Sequence, residues 1–239
     1  MSRVVAVVQA RMGSQRFPGK MMRRLGSYPI ITWVLTRVSH ASTVDQVVLA
    51  TSSARENDVL EEVAGALNIP TFRGDEQDVL GRYLAASRRF EIGHIVRVCG
   101  DNPFVAPEEI DRLVEFYRRE GPDYAFNHSP CNGNNYPDGL GAEIFSRSLL
   151  ERLDAVVKEP RHREHVTLYL WENPEGVRMK TIQAPAEIAF PAIRLDVDTQ
   201  ADLDKLNELD CVADLHATAL AVVQSYRTCH TGAESKVER

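Results

Sequence analysis

The run Val4-Val5-Ala6-Val7-Val8 is continuously apolar. That suits a strand buried on both faces of a parallel sheet better than a strand with one wet face. A polar loop with Gly13, Pro18 and Gly19 follows. Residues 29–38 then place Ile30, Ile31, Val34, Leu35 and Val38 on one helical stripe. The alternation repeats. Residues 46–50 read as a second strand, and Thr51-Ser52-Ser53 as the cap of a helix over 57–67. Thr71-Phe72 is a short third strand, 78–90 a helix, 94–98 a fourth strand ending at Gly100-Asp101, and 107–119 a helix with acidic residues in its first turn. Strand and helix at this spacing predict a doubly wound α/β domain with right-handed crossovers. Ligands in such sheets bind at the carboxyl ends of the strands, where loops 9–20 and 100–103 fall.

The rhythm changes after Asp123. Residues 128–137 form a loop rich in Asn, Gly and Pro, 141–145 read as a strand and 147–156 as a helix. Residues 165–171 are an apolar run, and 177–182 alternate like an exposed antiparallel strand. The section 124–188 reads as an insertion, or as an arm that packs on a second subunit. Residues 192–197 return to a core-type strand, 201–209 form a helix after the turn at Thr199, and 212–226 a final helix. One domain over 1–227 is expected, with a polar, disordered tail at 228–239. A chain of 239 residues is long enough for one such domain with a sizeable core.

A net charge of −6 argues against a general nucleic-acid binder. The charge is uneven, however. No Asp or Glu precedes Asp45, while Arg3, Arg11, Arg16, Lys20, Arg23, Arg24 and Arg37 do. Such a segment offers a local site to a polyanion, or is simply a solvated basic face. Cys99, Cys131, Cys211 and Cys229 have the spacing of neither a zinc site nor a disulfide framework. The apolar start is too short for a signal sequence or a membrane span. A cytoplasmic location with no membrane partner is expected.

Two constellations carry chemistry. The loop from Gln9 to Lys20 bears glycine and three cations, Arg11, Arg16 and Lys20, directly after the first strand. Backbone amides there can face an anion, and converging cations are needed to offset a polyphosphate's lost hydration. The loop lacks both G-x-G-x-x-G and G-x-x-x-x-G-K-[ST], which disfavours a dinucleotide site and a P-loop. On spacing alone, an ordinary βα turn with surface arginines fits as well. Asp101 and Asp198 each follow an expected core strand. Magnesium is commonly held by one or two carboxylates plus phosphate oxygens, although each Asp by itself could equally cap the next element. Three further stretches stand out: Phe72 to Arg82, Tyr136 to Phe145, and Arg161 to Thr167. Asp78 in the first reads equally as an N-cap. His165 in the last lacks the co-ligands of a zinc site, and no G-x-S-x-G supports a hydrolase.

Together these residues resemble the cytidylyltransferase family that activates acidic sugars as CMP derivatives, and most of all its spore-coat and surface-polysaccharide (SpsF-like) branch. The resemblance runs from Val4 to about Leu209. The family's A-R-x-x-S-x-R-x-P-x-K matches Ala10, Arg11, Ser14, Arg16, Pro18 and Lys20. Its G-D-x-P matches Gly100-Asp101-Asn102-Pro103, and its V-D-T matches Val197-Asp198-Thr199. The branch's Y-P-D-G-L-[DN]-x-E-[VI]-F matches Tyr136 to Phe145 and its R-E-H-V-T matches Arg163 to Thr167, with Gly141 standing where the branch carries Asp or Asn.

The resemblance implies a Rossmann-like nucleotide-diphospho-sugar-transferase sandwich with a mainly parallel sheet and a small inserted dimerisation arm. It implies transfer of CMP from CTP to a sugar acid, with release of pyrophosphate, by a homodimer. Arg11 and Lys20 would be catalytic. Ala10, Arg11, Met12, Gly13, Ser14, Arg16, Lys20 and Gly100 would hold the nucleotide, with the amides around Gly13-Ser14 cradling phosphate oxygens and Arg73, Asp78 and Arg82 on the cytidine side. Asp101 and Asp198 would hold Mg²⁺, and Asp138, Glu143 and His165 would line the acceptor side. Loss of a polar side chain at Gly141 would alter that side. The alternatives are a nucleotidyltransferase with another triphosphate or a phosphorylated or non-sugar acceptor, a nucleotide-binding module without turnover, and a scaffold.

Overall fold

The computed structural model describes residues 2–234. Its strands are β1 (Val4–Gln9), β2 (Arg24–Leu25), β3 (Tyr28–Pro29), β4 (Gln46–Ser52), β5 (Thr71–Gly74), β6 (His94–Cys99), β7 (Tyr124–Phe126), β8 (Glu143–Ser146) and β9 (Met179–Thr181). Its helices are α1 (Ile30–Val38), α2 (Asp58–Ala66), α3 (Val79–Arg89), α4 (Pro107–Glu120), α5 (Arg147–Val156), α6 (Pro160–Glu164), α7 (Leu168–Glu172), α8 (Gln200–Asn207) and α9 (Ala219–Glu234). Seven strands make one sheet in the order β5-β4-β1-β6-β8-β7-β9, and β2 and β3 form a separate ribbon. Only β8 runs against the rest. It is antiparallel to both β6 and β7, while β7 pairs β9 in parallel.

Alternate residues of β1 serve opposite faces. Val4, Ala6 and Val8 join residues of α1, α2 and α4 in one buried cluster. Val5 and Val7 join residues of α3, α5 and α7 in another. Both faces are therefore covered, which is why β1 is apolar throughout. A third cluster joins Trp33, Phe104, Leu195 and Val197 to residues of α8 and α9.

Five expectations change. The section 124–188 does not stand off as an arm. It contributes β7, β8 and β9 to the sheet and α5 and α7 to one face. Residues 177–182 hold a strand, but it pairs in parallel, because its neighbour β7 precedes the α5–α7 crossover rather than a hairpin turn. Residues 192–197 are not a sheet strand. Asp138 and Arg194 make a single parallel bridge, and Ile193, Leu195 and Val197 alternate into the third cluster beneath α8 and α9. The last helix starts at Ala219 rather than near Val212. The Asp214 carboxylate accepts the His216 amide at 2.9 Å, a local turn that competes with helix, and Glu108 accepts the Ala219 amide at 2.6 Å. α9 runs through part of the expected tail, to Glu234; the rest of that expectation, 235–239, lies outside the described residues.

Candidate active site

β1 lies between β4 and β6, so successive strands depart from it in opposite directions. The carboxyl ends of β1 and β6 flank the crevice where such sheets take ligands. The Gly100 amide donates to the Gln9 carbonyl at 2.8 Å. A Cβ at position 100 would stand 2.8 Å from that oxygen and 2.9 Å from the Ala10 Cβ, so the approach of these two strand ends requires glycine. A cavity of about 580 Å³ opens here. Ala10, Arg11, Ser14, Arg16 and Lys20 line it from the loop after β1, Gly100 and Asp101 from the end of β6, and Asp198 and His165 from distant parts of the chain.

Lys20 is the centre of this site. Gly19, at φ +69°, turns the chain into the short helical turn Lys20–Met22 and sends the lysine inward. Lys20 is only 8% exposed. Its Nζ donates to Asp101 Oδ2 at 2.9 Å, to the Val197 carbonyl at 3.0 Å and to Asp198 Oδ1 at 3.4 Å. Arg16 Nη1 lies 3.0 Å from Asp198 Oδ2. Two carboxylates distant in sequence thus share one cation. The donor set gathered here is all oxygen, from Asp101, Asp198 and the Val197 carbonyl, which is the ligand type that Mg²⁺ takes. Asp198 is held by its neighbours: Asp202 accepts the backbone amides of Asp198 at 3.1 Å and Thr199 at 2.7 Å.

The loop itself is closed on the Met12 carbonyl, which accepts the amides of Ser14 at 2.9 Å and Gly19 at 3.2 Å. The Ser14 amide is therefore not free to cradle a phosphate, contrary to the expectation; its hydroxyl faces the Phe17 amide at 3.3 Å. Buried Asn57 accepts the Met12 amide at 2.8 Å and so ties the loop to the start of α2. A Cβ at Gly13 would stand 2.8 Å from a Glu56 carboxylate oxygen, so this position also faces anions. Arg11 reaches Glu164 at 3.0 Å and Glu76 at 3.8 Å.

A second hollow of about 470 Å³ shares Arg11, Gln15 and Glu164 with the first and also takes in Gly13 and Asp78. Asp78 caps α3 by accepting the Gly81 amide at 2.9 Å, and takes both Nε and Nη2 of Arg163 at 2.8 Å. These two hydrogen bonds and the Arg163 charge hold its carboxyl below the usual range against the opposing effect of burial. Arg82 is 2% exposed behind this loop and donates to the Asp75 carbonyl at 2.7 Å. Arg73 is elsewhere. It spans Asp58 at 2.6 Å and Glu61 at 3.0 Å, fastening β5 to α2, and is not among the residues lining either hollow.

Of the three expected acceptor residues, only His165 reaches the main cavity. Asp138 sits at the bridge to Arg194, its carboxyl raised by burial and by nearby Asp196. Glu143 is 2% exposed and pairs with Arg97, while Thr167 donates to it at 2.7 Å and Tyr124 at 2.5 Å. Burial pushes its carboxyl up, but Arg97, His128 and those two hydrogen bonds outweigh that and hold it at about 2. The chain reaches the cavity at this point through Arg97 and not through Glu143. Sequence reasoning missed Arg97, although a charged residue within the apolar run of β6 was a signal.

A mainly parallel sheet with a cationic loop and two convergent carboxylates at its switch point defines an enzyme of the nucleotidyltransferase class. More particularly, the chain belongs to the cytidylyltransferase family, whose model matches residues 5–226. It is 33% identical to the spore coat polysaccharide biosynthesis protein SpsF of Bacillus subtilis, over 87% of each chain. It is also 33% identical to the 3-deoxy-manno-octulosonate cytidylyltransferase of Pelobacter propionicus, over 46% of this chain and 43% of that one. A solved cytidylyltransferase from Leptospira borgpetersenii superposes with a TM-score of 0.85 at 30% identity, covering 95% of each chain. Among the described residues no helix is long and apolar enough to cross a membrane.

Proposed function

We propose that this enzyme transfers CMP from CTP to a hydroxyl of a sugar acid for surface-glycan synthesis. The observation that carries the reading is the Lys20 ammonium shared by Asp101 and Asp198 at the sheet's switch point. The acceptor oxygen attacks the α-phosphorus, its bond to the β-phosphate oxygen breaks, and pyrophosphate and a proton are released. Such a step needs positioning and charge stabilisation rather than covalent help. Arg11, Arg16 and Lys20 neutralise the phosphates and the leaving pyrophosphate. Asp101 and Asp198 hold Mg²⁺, which when bound supplies further charge neutralisation on the polyphosphate. Asp78 and Arg82 shape the hollow beside the loop for the cytidine, and His165 faces the acceptor.

The kinship with SpsF and with an octulosonate cytidylyltransferase supports an acidic acceptor. A pyrophosphate-release screen tests the reading, with each of the four nucleoside triphosphates against octulosonic, sialic and related acids. CTP with at least one acid is expected to turn over. Chelation of divalent cations is expected to abolish release and added Mg²⁺ to restore it. Lys20→Ala and Asp101→Asn should each lower turnover by orders of magnitude with the far-UV spectrum unchanged. Near wild-type release in either variant refutes the assignment. We further propose a cytoplasmic homodimer that buries parts of residues 124–188; a monomer mass by light scattering at micromolar concentration rejects the pairing.

A further inference from the structure

We propose that Arg97 is the residue that selects an acidic acceptor, by taking the acceptor's carboxylate; this rests on the reading just given. Arg97 lies within β6, where the other inward positions are apolar or neutral. Burying a guanidinium there costs free energy unless it is paired and used. Its pairing is one-sided. Nη1 donates to Glu143, Nη2 reaches Gln9 Oε1 at a long 3.4 Å, and Nε is buried with no hydrogen-bond partner among the described residues. A guanidinium offers five donors in a planar fork, so this one has capacity to spare. Glu143 is itself pinned by Tyr124 and Thr167, so the fork is held in one orientation.

Arg97 also stands where two spaces meet. It lines the 580 Å³ cavity, and with His165 it lines an adjoining hollow of about 360 Å³. The rest of that hollow is Arg161, Thr167, Leu168 and Trp171, with no carboxylate in its lining. Two guanidiniums, of which Arg161 also pairs with Glu172 at 2.8 Å, together with an imidazole and an indole fit a ligand that carries one anionic group. A planar guanidinium matches a carboxylate bidentately, and a lysine ammonium does not.

The experiment measures initial rates of pyrophosphate release with CTP and an accepted acid, and with the primary amide of that acid. Wild-type enzyme should prefer the acid. Arg97→Lys keeps the charge opposite Glu143 and removes the fork. It should raise the acceptor KM by about tenfold or more, the worth of one lost charged hydrogen bond, with the KM for CTP within about twofold. The preference for acid over amide should shrink accordingly. The double variant Arg97→Gln with Glu143→Gln leaves no buried charge unpaired and should abolish the preference. An unchanged acid-to-amide ratio in both variants overturns the proposal and leaves the proposed function standing. An equal rise in the KM for CTP also overturns it, because Arg97 would then hold phosphate. Wild-type turnover of neutral acceptors alone overturns the proposed function and this assignment with it.

Discussion

A Cβ at position 141 would stand 2.2 Å from Asn127 Oδ1 and 2.4 Å from the Asn127 carbonyl oxygen. Neither distance is compatible with a close-packed interior. The place that a polar side chain would take is filled instead by Asn127, whose Oδ1 accepts the Ala142 amide at 2.9 Å and whose Nδ2 donates to the Glu109 carbonyl at 2.9 Å. The glycine therefore does not empty the acceptor side, as the sequence pattern suggested. It makes room for an amide supplied from β7's end of the sheet. Gly141→Asn, which restores the branch's residue, should overpack this contact and cost about 1–3 kcal/mol. A fall in the denaturation midpoint without a change in the KM for CTP is expected. A midpoint equal to wild type would mean that Asn127 moves freely aside.

The elements at the site carry two tasks at once, and this decides what could be read beforehand. Thr199 and Asp202 form a capping box at the start of α8, the Thr199 side chain accepting the Asp202 amide at 3.3 Å. The same Asp202 carboxylate fixes the Asp198 backbone. Asp202→Ala should cost about 0.5–2 kcal/mol, the range for a lost cap, and should lower turnover well beyond what that stability loss explains. Equal retention of turnover and fold would show that Asp198 is oriented by Lys20 and Arg16 alone. The main strands and helices of the first half were legible from their periods, from the continuous apolar β1 to Asp78 capping α3. The expected cap at Thr51-Ser52-Ser53 was not, since Thr51 and Ser52 belong to β4 and Asn57 precedes α2 without a side-chain cap. The two-residue strands of the β2–β3 ribbon are too short to show a period. Arg11 and Asp101 were legible because they lie just past the ends of β1 and β6, whereas Asp198 was picked out by an expected strand that the sheet does not contain. The second half misled because its alternation at residues 192–197 arises from packing beneath α8 and α9 rather than from a sheet. The Arg97–Glu143 pair was hidden because a cross-strand contact between β6 and β8 depends on a register that no local pattern states.

Across the whole molecule, the carboxylates shifted by folding act mostly in one direction. Glu143 is held at about 2, and Asp78, Asp111 and Asp202 also lie below their ordinary values. Each such group binds protons more readily unfolded than folded. Its contribution to stability is present above the unfolded value and is lost as pH falls through the folded one. Asp138 is raised by burial and by Asp196, so its cost is relieved as pH falls, in the opposite sense. Three of the lowered groups sit on the surface side of helix starts or turns, where solvent screens them. Glu143 is buried, and it should dominate the acid limb. The stability gap between wild type and Glu143→Gln should therefore be widest above about pH 5 and should narrow steadily from the ordinary carboxylate range toward about pH 2, as the wild-type carboxyl takes up the proton that the amide mimics. Urea titrations at successive pH values measure that gap directly. A gap that stays constant between neutral pH and pH 3 would place the value of the pair in packing and hydrogen bonding rather than in the carboxylate's charge.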